Sequence, residues 1–255
     1  MTDLSPGGRI RFLTTHWSLV ASAGDSATPE SRASLARLCE IYWFPVFAYI
    51  RRCGASPDEA RDLTQGFFTV FLEKNYVKSA DALRGRFRSF LLASVQHFVA
   101  NERDRMRAQK RGGHLSFLPL EFETAEGVLR REPMTGLTPE HIFERRWALT
   151  ILERVLERLG AEQEAAGRGA VFALLRPHLA GDEPDETYAM TAASLDVSTG
   201  AVRVAVHRLR RRFRALLLEQ IGQTVTEPSE IERELRHLVS ALGSPSAHEG
   251  SGGYA

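Results

Sequence analysis

The sequence predicts an all-α protein: two helical domains joined by a linker, with a C-terminal helix after the second. Three observations predict it. Strand signals are almost absent, while helix starts and stops recur along the chain. Apolar residues return at helical spacing through most of the length. One stretch, His114 to Thr138, breaks that pattern with mixed polarity, two prolines and no sustained period.

Taken in order, residues 1–30 form an N-terminal segment with no apolar run of signal-peptide length. The first domain spans 31–113. In it, "ASLARLCEIYWFPVFAYIRRCG" reads as a helix interrupted or bent at Pro45 and stopped at Gly54. "SPDE" at Ser56–Glu59 is a capping box with proline at the first helical position. It opens a helix whose Ala60, Leu63, Phe67 and Val70/Phe71 share a stripe. Gly66 sits inside that helix, at a cost of roughly 1 kcal/mol relative to alanine. "FRSFLLASVQHFVANERDRMRAQKRGG" reads as one long helix, apolar on one side, turning basic and ending at Gly112–Gly113.

The linker covers 114–138. The second domain, 139–221, opens with Thr138 as N-cap and Pro139 at the first helical position. Trp147, Ile151, Val155 and Leu159 follow four apart. "AVFALLRPHL" is a short helix and "GDEPDE" a turn. Residues 222–255 form a C-terminal extension. Its helix, Glu230 to Leu242, is expected to be capped by Ser229 with Glu232 three residues on, and the chain is expected to be disordered after about 243. This helix either packs back on the second domain or masks the basic helix or the linker, with Glu227, Glu230, Glu232 and Glu234 facing arginines.

With 255 residues and 43% hydrophobic composition, the chain can bury a real core. Its net charge is only +1, but the charge is uneven. Arg84 to Arg111 holds eight basic residues against Glu102 and Asp104, and Arg203 to Arg214 holds six arginines and no acid. Two separated basic blocks in a nearly neutral chain point to two contacts with one long polyanion. Cys39 and Cys53 fit neither a CxxC pair nor a zinc-finger spacing, and read as two thiols in a reducing cytosol. No run reaches the ~20 apolar residues of a membrane span. The expectation is a soluble, cytoplasmic protein.

The second basic block lies in "ETYAMTAASLDVSTGAVRVAVHRLRRRF". Ala192, Leu195, Val197, Val202, Val206, Leu209 and Phe213 fit a short helix, a tight turn at Asp196–Ser198, and a second helix from Thr199. Asp196 tolerates the left-handed conformation such a turn needs, and Ser198 can cap the second helix. With Val202, Val206, Leu209 and Phe213 inward, Arg203, Val204, His207, Arg208 and Arg211 face outward. Early positions of such a helix reach bases, which favours Arg203, His207 and Arg208. Arg210, Arg211, Arg212 and Arg214 suit phosphates. The plainer reading is a solvated basic face.

The first block mixes Phe87, Phe90, His97, Phe98 and Asn101 with arginines. Such interleaving suits single-stranded nucleic acid, where bases stack on rings. Equally, Phe90, Leu91 and Phe98 are candidates for core. No enzyme signature occurs: there is no HExxH, Walker loop or GxSxG elbow. No catalytic residue, metal site or cofactor is expected. His97 with Glu102 and Asp104 does not make a convincing metal set.

At these residues the sequence resembles the extracytoplasmic-function group of bacterial RNA polymerase sigma factors. "ARDLTQGFFTVFL" is similar to the family's region-two helix, with its core at Asp62, Leu63, Gln65 and Phe68. "FRSFLLASVQHFVANERDRMRAQKRGG" resembles the next helix, and "YAMTAASLDVSTGAVRVAVHRLRRRFRALL" resembles region four. "TTHWSLV" and "EQIGQTVTEPSEIERELRHLVSAL" are similar to a subgroup found in planctomycete-type genomes. The resemblance implies a transcription initiation factor, with no enzymatic activity of its own. It implies that Asp62, Gln65 and Phe68 dock on the beta-prime clamp helices of core polymerase. It implies that Phe90, His97, Asn101 and Arg103 capture the minus-ten strand, and that Arg203, His207, Arg208 and Arg211 read the minus-thirty-five duplex. Partners would be core RNA polymerase, through the clamp helices and the beta flap, promoter DNA, and an anti-sigma factor or kinase. The rival is a helix-turn-helix regulator that binds duplex DNA alone.

Overall fold

Helix initiation follows local chemistry. At Ser56 the capping box closes both ways: the Ser56 amide donates to Glu59 Oε2 at 2.8 Å, and the Glu59 amide donates to Ser56 Oγ at 3.3 Å. The bonds from Ser56 hold the Glu59 carboxyl below its ordinary range. At Thr138 the hydroxyl caps the helix, accepting from the His141 amide at 3.3 Å.

The computed structural model describes residues 29–73, 86–108, 121–131, 136–181, 184–225 and 227–243, with backbone alone at 29–37, 72–73 and 106–108. In chain order the helices are α1 (Pro29–Arg52), α2 (Pro57–Glu73), α3 (Phe87–Ala108), α4 (Phe122–Arg131), α5 (Pro139–Ala165) and α6 (Gly169–Leu175). A 3₁₀ turn at Arg176–Leu179 leads to α7 (Asp185–Leu195) and α8 (Thr199–Gly222). A second 3₁₀ turn, Pro228–Glu230, leads to α9 (Ile231–Leu242). The protein is all-α, with no strand among the described residues. No helix among them is long and apolar enough to cross a membrane. The N-terminal "TTHWSLV", the stop at Gly112–Gly113 and the tail after 243 lie outside the described residues.

The chain divides into two compact units. One comprises the chain up to Trp147 together with the chain from Ile221 onward; the other is Ala148–Gln220. The expected boundaries, 138/139 and 221/222, differ from these: the first turns of α5 and the whole of α9 belong with the first unit.

In the first unit α1, α2 and α3 pack on one another. Tyr42, Phe47, Ile50, Phe67, Phe68, Phe71, Phe87 and Leu91 are buried. Helix α1 runs on through Pro45 rather than breaking there, and stops at Gly54, whose φ of 96° suits a residue without Cβ. Burial pushes the Cys39 thiol up to about 12, and both cysteines are free.

Two expectations are corrected here. Part of the expected linker folds as α4, which buries Ala125, Glu126 and Leu129. Phe122 sets its ring edge-on against Trp43 at 5.3 Å and Phe47 at 5.2 Å. Arg51 forks onto Glu126 with bonds of 2.7 and 2.8 Å, and those bonds hold the Glu126 carboxyl below its ordinary range. An apolar face of three residues, Phe122, Ala125 and Leu129, with a buried glutamate beside them, is too short to show as a period, so the stretch reads as linker.

The C-terminal helix does not join the second unit. Glu234, fully buried, takes Arg88 Nε at 2.7 Å and Arg86 Nε at 2.9 Å. Glu144 takes the other side of Arg88 at 2.5 Å and His237 Nε2 at 2.9 Å. Arg88 lies over the Trp147 ring at 5.0 Å. Burial alone would lower the Arg88 guanidinium. The Glu234 hydrogen bonds and the Glu144 and Glu234 charges outweigh it, and its pKa stands above the ordinary value. Arg145 Nη1 donates to the Leu242 carbonyl at 2.8 Å, and Leu238 is buried. Of the tail acids, Glu234 meets arginines of α3 and its approach, while Glu230 pairs only with Arg233 next along the chain. The Ser229 cap does not form. Pro228 starts a 3₁₀ turn instead, and Glu230 occupies the cap position without a side-chain bond.

In the second unit Ile151, Val155 and Leu159 are buried as expected, and Trp147 is buried in the first. Phe172, Leu175, Tyr188, Ala192, Val202, Val206 and Leu209 complete the second unit's core. His178 is buried, stacked on Tyr188 at 4.5 Å, with Nε2 bonded to the Thr191 hydroxyl at 2.8 Å.

Candidate nucleic-acid interface

The turn between α7 and α8 is built as a helix C-cap. Asp196 adopts φ 53°, ψ 47° and is the one non-glycine residue with positive φ among the described residues. The Val197 amide donates to the Ala192 carbonyl at 3.1 Å, and the Asp196 amide to the Ala193 carbonyl at 3.4 Å. This is the paired bonding that ends a helix through a left-handed residue. Ser198 Oγ then accepts from the Ala201 amide at 3.2 Å and starts α8. Ala192 and Val202 are buried on either side of the turn, which brings the two helices together. Val197, expected to pack, is instead 46% exposed.

On α8, Val202, Val206 and Leu209 turn inward and Phe213 is half-buried. Arg203, Val204, His207, Arg208 and Arg211 lie on the exposed side, as does Arg214. The arginines divide into two kinds. Arg210 donates to the carbonyls of His178 and Gly181, and Arg212 forks onto Glu162 at 2.7 and 2.8 Å. Both are structural ties within the unit, which corrects their assignment as phosphate contacts. Arg208, Arg211, Arg214 and His207 have no ion pair among the described residues. Arg203 is a third case: Nη2 meets Asp185 Oδ1 at 2.5 Å, and its guanidinium lies 5.3 Å from the centre of the Tyr188 ring. Asp185 and Tyr188 were not candidates on sequence. Their spacing of one helical turn on α7 was the available signal.

Beside this face the second unit carries an open groove of about 630 Å³, walled by Val171, Phe172, Leu175 and Leu209 and rimmed by Arg168 and Arg208.

In the first unit, Phe90, His97 and Asn101 fall on one side of α3, since their spacings are close to whole turns. Phe90 is half-buried beside Phe71 at 6.2 Å and Phe87 at 6.3 Å; His97 and Asn101 are exposed. Phe98 is half-buried against Phe67 at 5.7 Å. Arg103 is not on that side. It points elsewhere and donates to the Cys53 carbonyl at 2.5 Å. Asp62, Gln65 and Phe68 do not share a surface either. The Asp62 side chain is 73% exposed, whereas Gln65 and Phe68 are 3% and 2% exposed. Helix α2 packs on both α1 and α3, so its buried arc is wider than one stripe and takes in both residues. Among the described residues no cluster of histidine, cysteine and acids fits a metal ion. No protein-family model, no curated protein and no solved structure matches this chain.

Proposed function

We propose that this protein is a transcription initiation factor of the sigma type, which binds bacterial core RNA polymerase and directs it to promoters. The observation that carries the reading is the α7–α8 pair. Its tight turn is closed by a left-handed helix C-cap, and its second helix presents His207, Arg208, Arg211 and Arg214 with no ion pair among the described residues. Charge left unneutralised on an ordered surface fits a polyanion in a groove of duplex DNA. In this reading Arg203, His207, Arg208 and Arg211 meet the upstream duplex. Phe90, His97 and Asn101 receive the opened downstream strand, where half-buried Phe90 supplies a stacking edge and the two exposed side chains supply hydrogen bonds. The groove beside α8 takes the beta flap, and Asp62, projecting from α2, contacts the clamp helices.

Co-purification with core polymerase tests this. Asp62→Arg is the right probe, because Asp62 is exposed and its replacement leaves the α2 core intact, whereas Gln65 is buried and its loss would unsettle the fold. Wild type is expected to be retained, and Asp62→Arg to lose about 10-fold or more in affinity. A chain that binds duplex sites equally well without polymerase, and is not retained by it, is a stand-alone helix-turn-helix regulator instead.

A further inference from the structure

The geometry points to Asp185 and Tyr188 as positioning residues that make Arg203 a guanine reader rather than a phosphate contact. The inference rests on the proposed role of α7–α8 as a duplex reader. It starts from the difference between Arg203 and its exposed neighbours. Arg208, Arg211 and Arg214 carry no carboxylate partner among the described residues, and a long free arginine suits a phosphate, which accepts it from many directions. Arg203 is held from two sides. Asp185 Oδ1 takes Nη2 at 2.5 Å, and the Tyr188 ring supports the guanidinium at 5.3 Å. Tyr188 is itself buried and stacked on His178, so the platform is fixed to the core of the unit.

Two consequences follow from charge and geometry. A carboxylate beside Arg203 offsets part of its attraction for a phosphate, an effect that water screens at this exposed pair. A guanine edge is different: it offers two neutral acceptors, N7 and O6, at fixed spacing, and rewards a guanidinium whose plane is already set. Restraint before binding also removes ordering cost at the moment of contact. Arg203 lies in the first turns of α8, where this kind of helix pair reaches base edges. Asp185 and Tyr188 stand one turn apart on α7 and touch no base in this scheme; they act through Arg203.

The test uses the full chain with core polymerase, on duplexes selected from a library randomised in the upstream region. In the selected duplex each guanine is replaced in turn by 7-deazaguanine, which lacks the N7 acceptor. Wild type is expected to lose about 10-fold at one guanine. At that same position Asp185→Ala and Arg203→Ala are expected to lose less than about 2-fold, since the bidentate contact is already gone, and both keep the wild-type response at every other guanine. Asp185→Glu is expected to recover part of the discrimination. The slope of log affinity against log salt is expected to stay level in Arg203→Ala. The inference is overturned if Asp185→Ala binds all duplexes more tightly with discrimination intact, or if Arg203→Ala lowers the salt slope by about one with no position-specific loss. Circular dichroism of each variant separates a misfolded unit from a lost contact. If wild type selects no duplex with polymerase, the proposed function falls and this inference with it. If it selects the same duplex without polymerase, only the polymerase partnership falls.

Discussion

Two neighbouring arginines on α8 do opposite work. Arg210 is bonded to the carbonyls of His178 and Gly181, so it holds the 3₁₀ turn and the chain after it. Arg211, the next residue, stands exposed without an ion pair among the described residues. Arg210→Ala is therefore expected to lower the melting temperature, by an amount corresponding to about 1 kcal/mol, because it removes the bonds to the part-buried His178 carbonyl and to the exposed Gly181 carbonyl. Arg211→Ala is expected to leave melting unchanged and to reduce the salt slope of DNA binding by about one. Calorimetry and a salt titration of the same two variants check both halves. Sequence alone cannot make this division, because both are arginines on the same helix. Which one is spent depends on a carbonyl more than a helix away.

Among elements, α4 and α9 are the ones that packing places differently from expectation. Each shows how far a local pattern carries. The caps at Ser56, Thr138 and Ser198 and the left-handed turn at Asp196 are local, and each is legible in four or five residues. The exposed side of α8, with Arg203, His207, Arg208 and Arg211, is legible for the same reason, since it follows from the helix period once its start is known. The docking of α9 is not local. It rests on an ion pair between Arg88 and Glu234, distant in sequence, and no spacing rule links them. Gln65 fails for the same reason: its burial comes from neighbouring helices, not from the α2 period. Because Glu234 and Arg88 are both buried, removing the acid leaves the cation with Glu144 as its remaining carboxylate, beside the Trp147 ring. Glu234→Ala is expected to destabilise the first unit by about 3 kcal/mol, at the lower end for a broken buried pair because Glu144 remains. Chemical denaturation, read by Trp43 and Trp147 fluorescence, checks this. Both tryptophans belong to the first unit.

For the whole molecule, the important fact is that the second unit is an insertion within the first. The first unit takes its residues from both ends of the described chain and the second from the middle. A chain lacking residues 226–255 is therefore expected to lose amide-exchange protection across α1–α4 while α6–α8 keep theirs. If promoter output rose while protection in α1–α4 stayed intact, the tail would be a mask rather than part of the fold. All-α architecture and the tight turn between α7 and α8 were legible in the sequence, since each depends on helix period and turn chemistry. The docking of α9 on the first unit was not, because it depends on one buried charge cluster.

That return of the chain sets an order of birth. Proteins made on ribosomes commonly fold from the first domain synthesised to the last. Here the first-made part must wait, since Glu234 emerges after the whole of the second unit and Arg88 has only the Glu144 carboxylate until then. The middle unit can close while the earlier one is still open. Translation stopped short of α9 would leave the residues of the second unit complete but the first unit without its Glu234 contacts. The last helix of the described chain thus closes the first unit: without it Arg88 keeps Glu144 and loses Glu234.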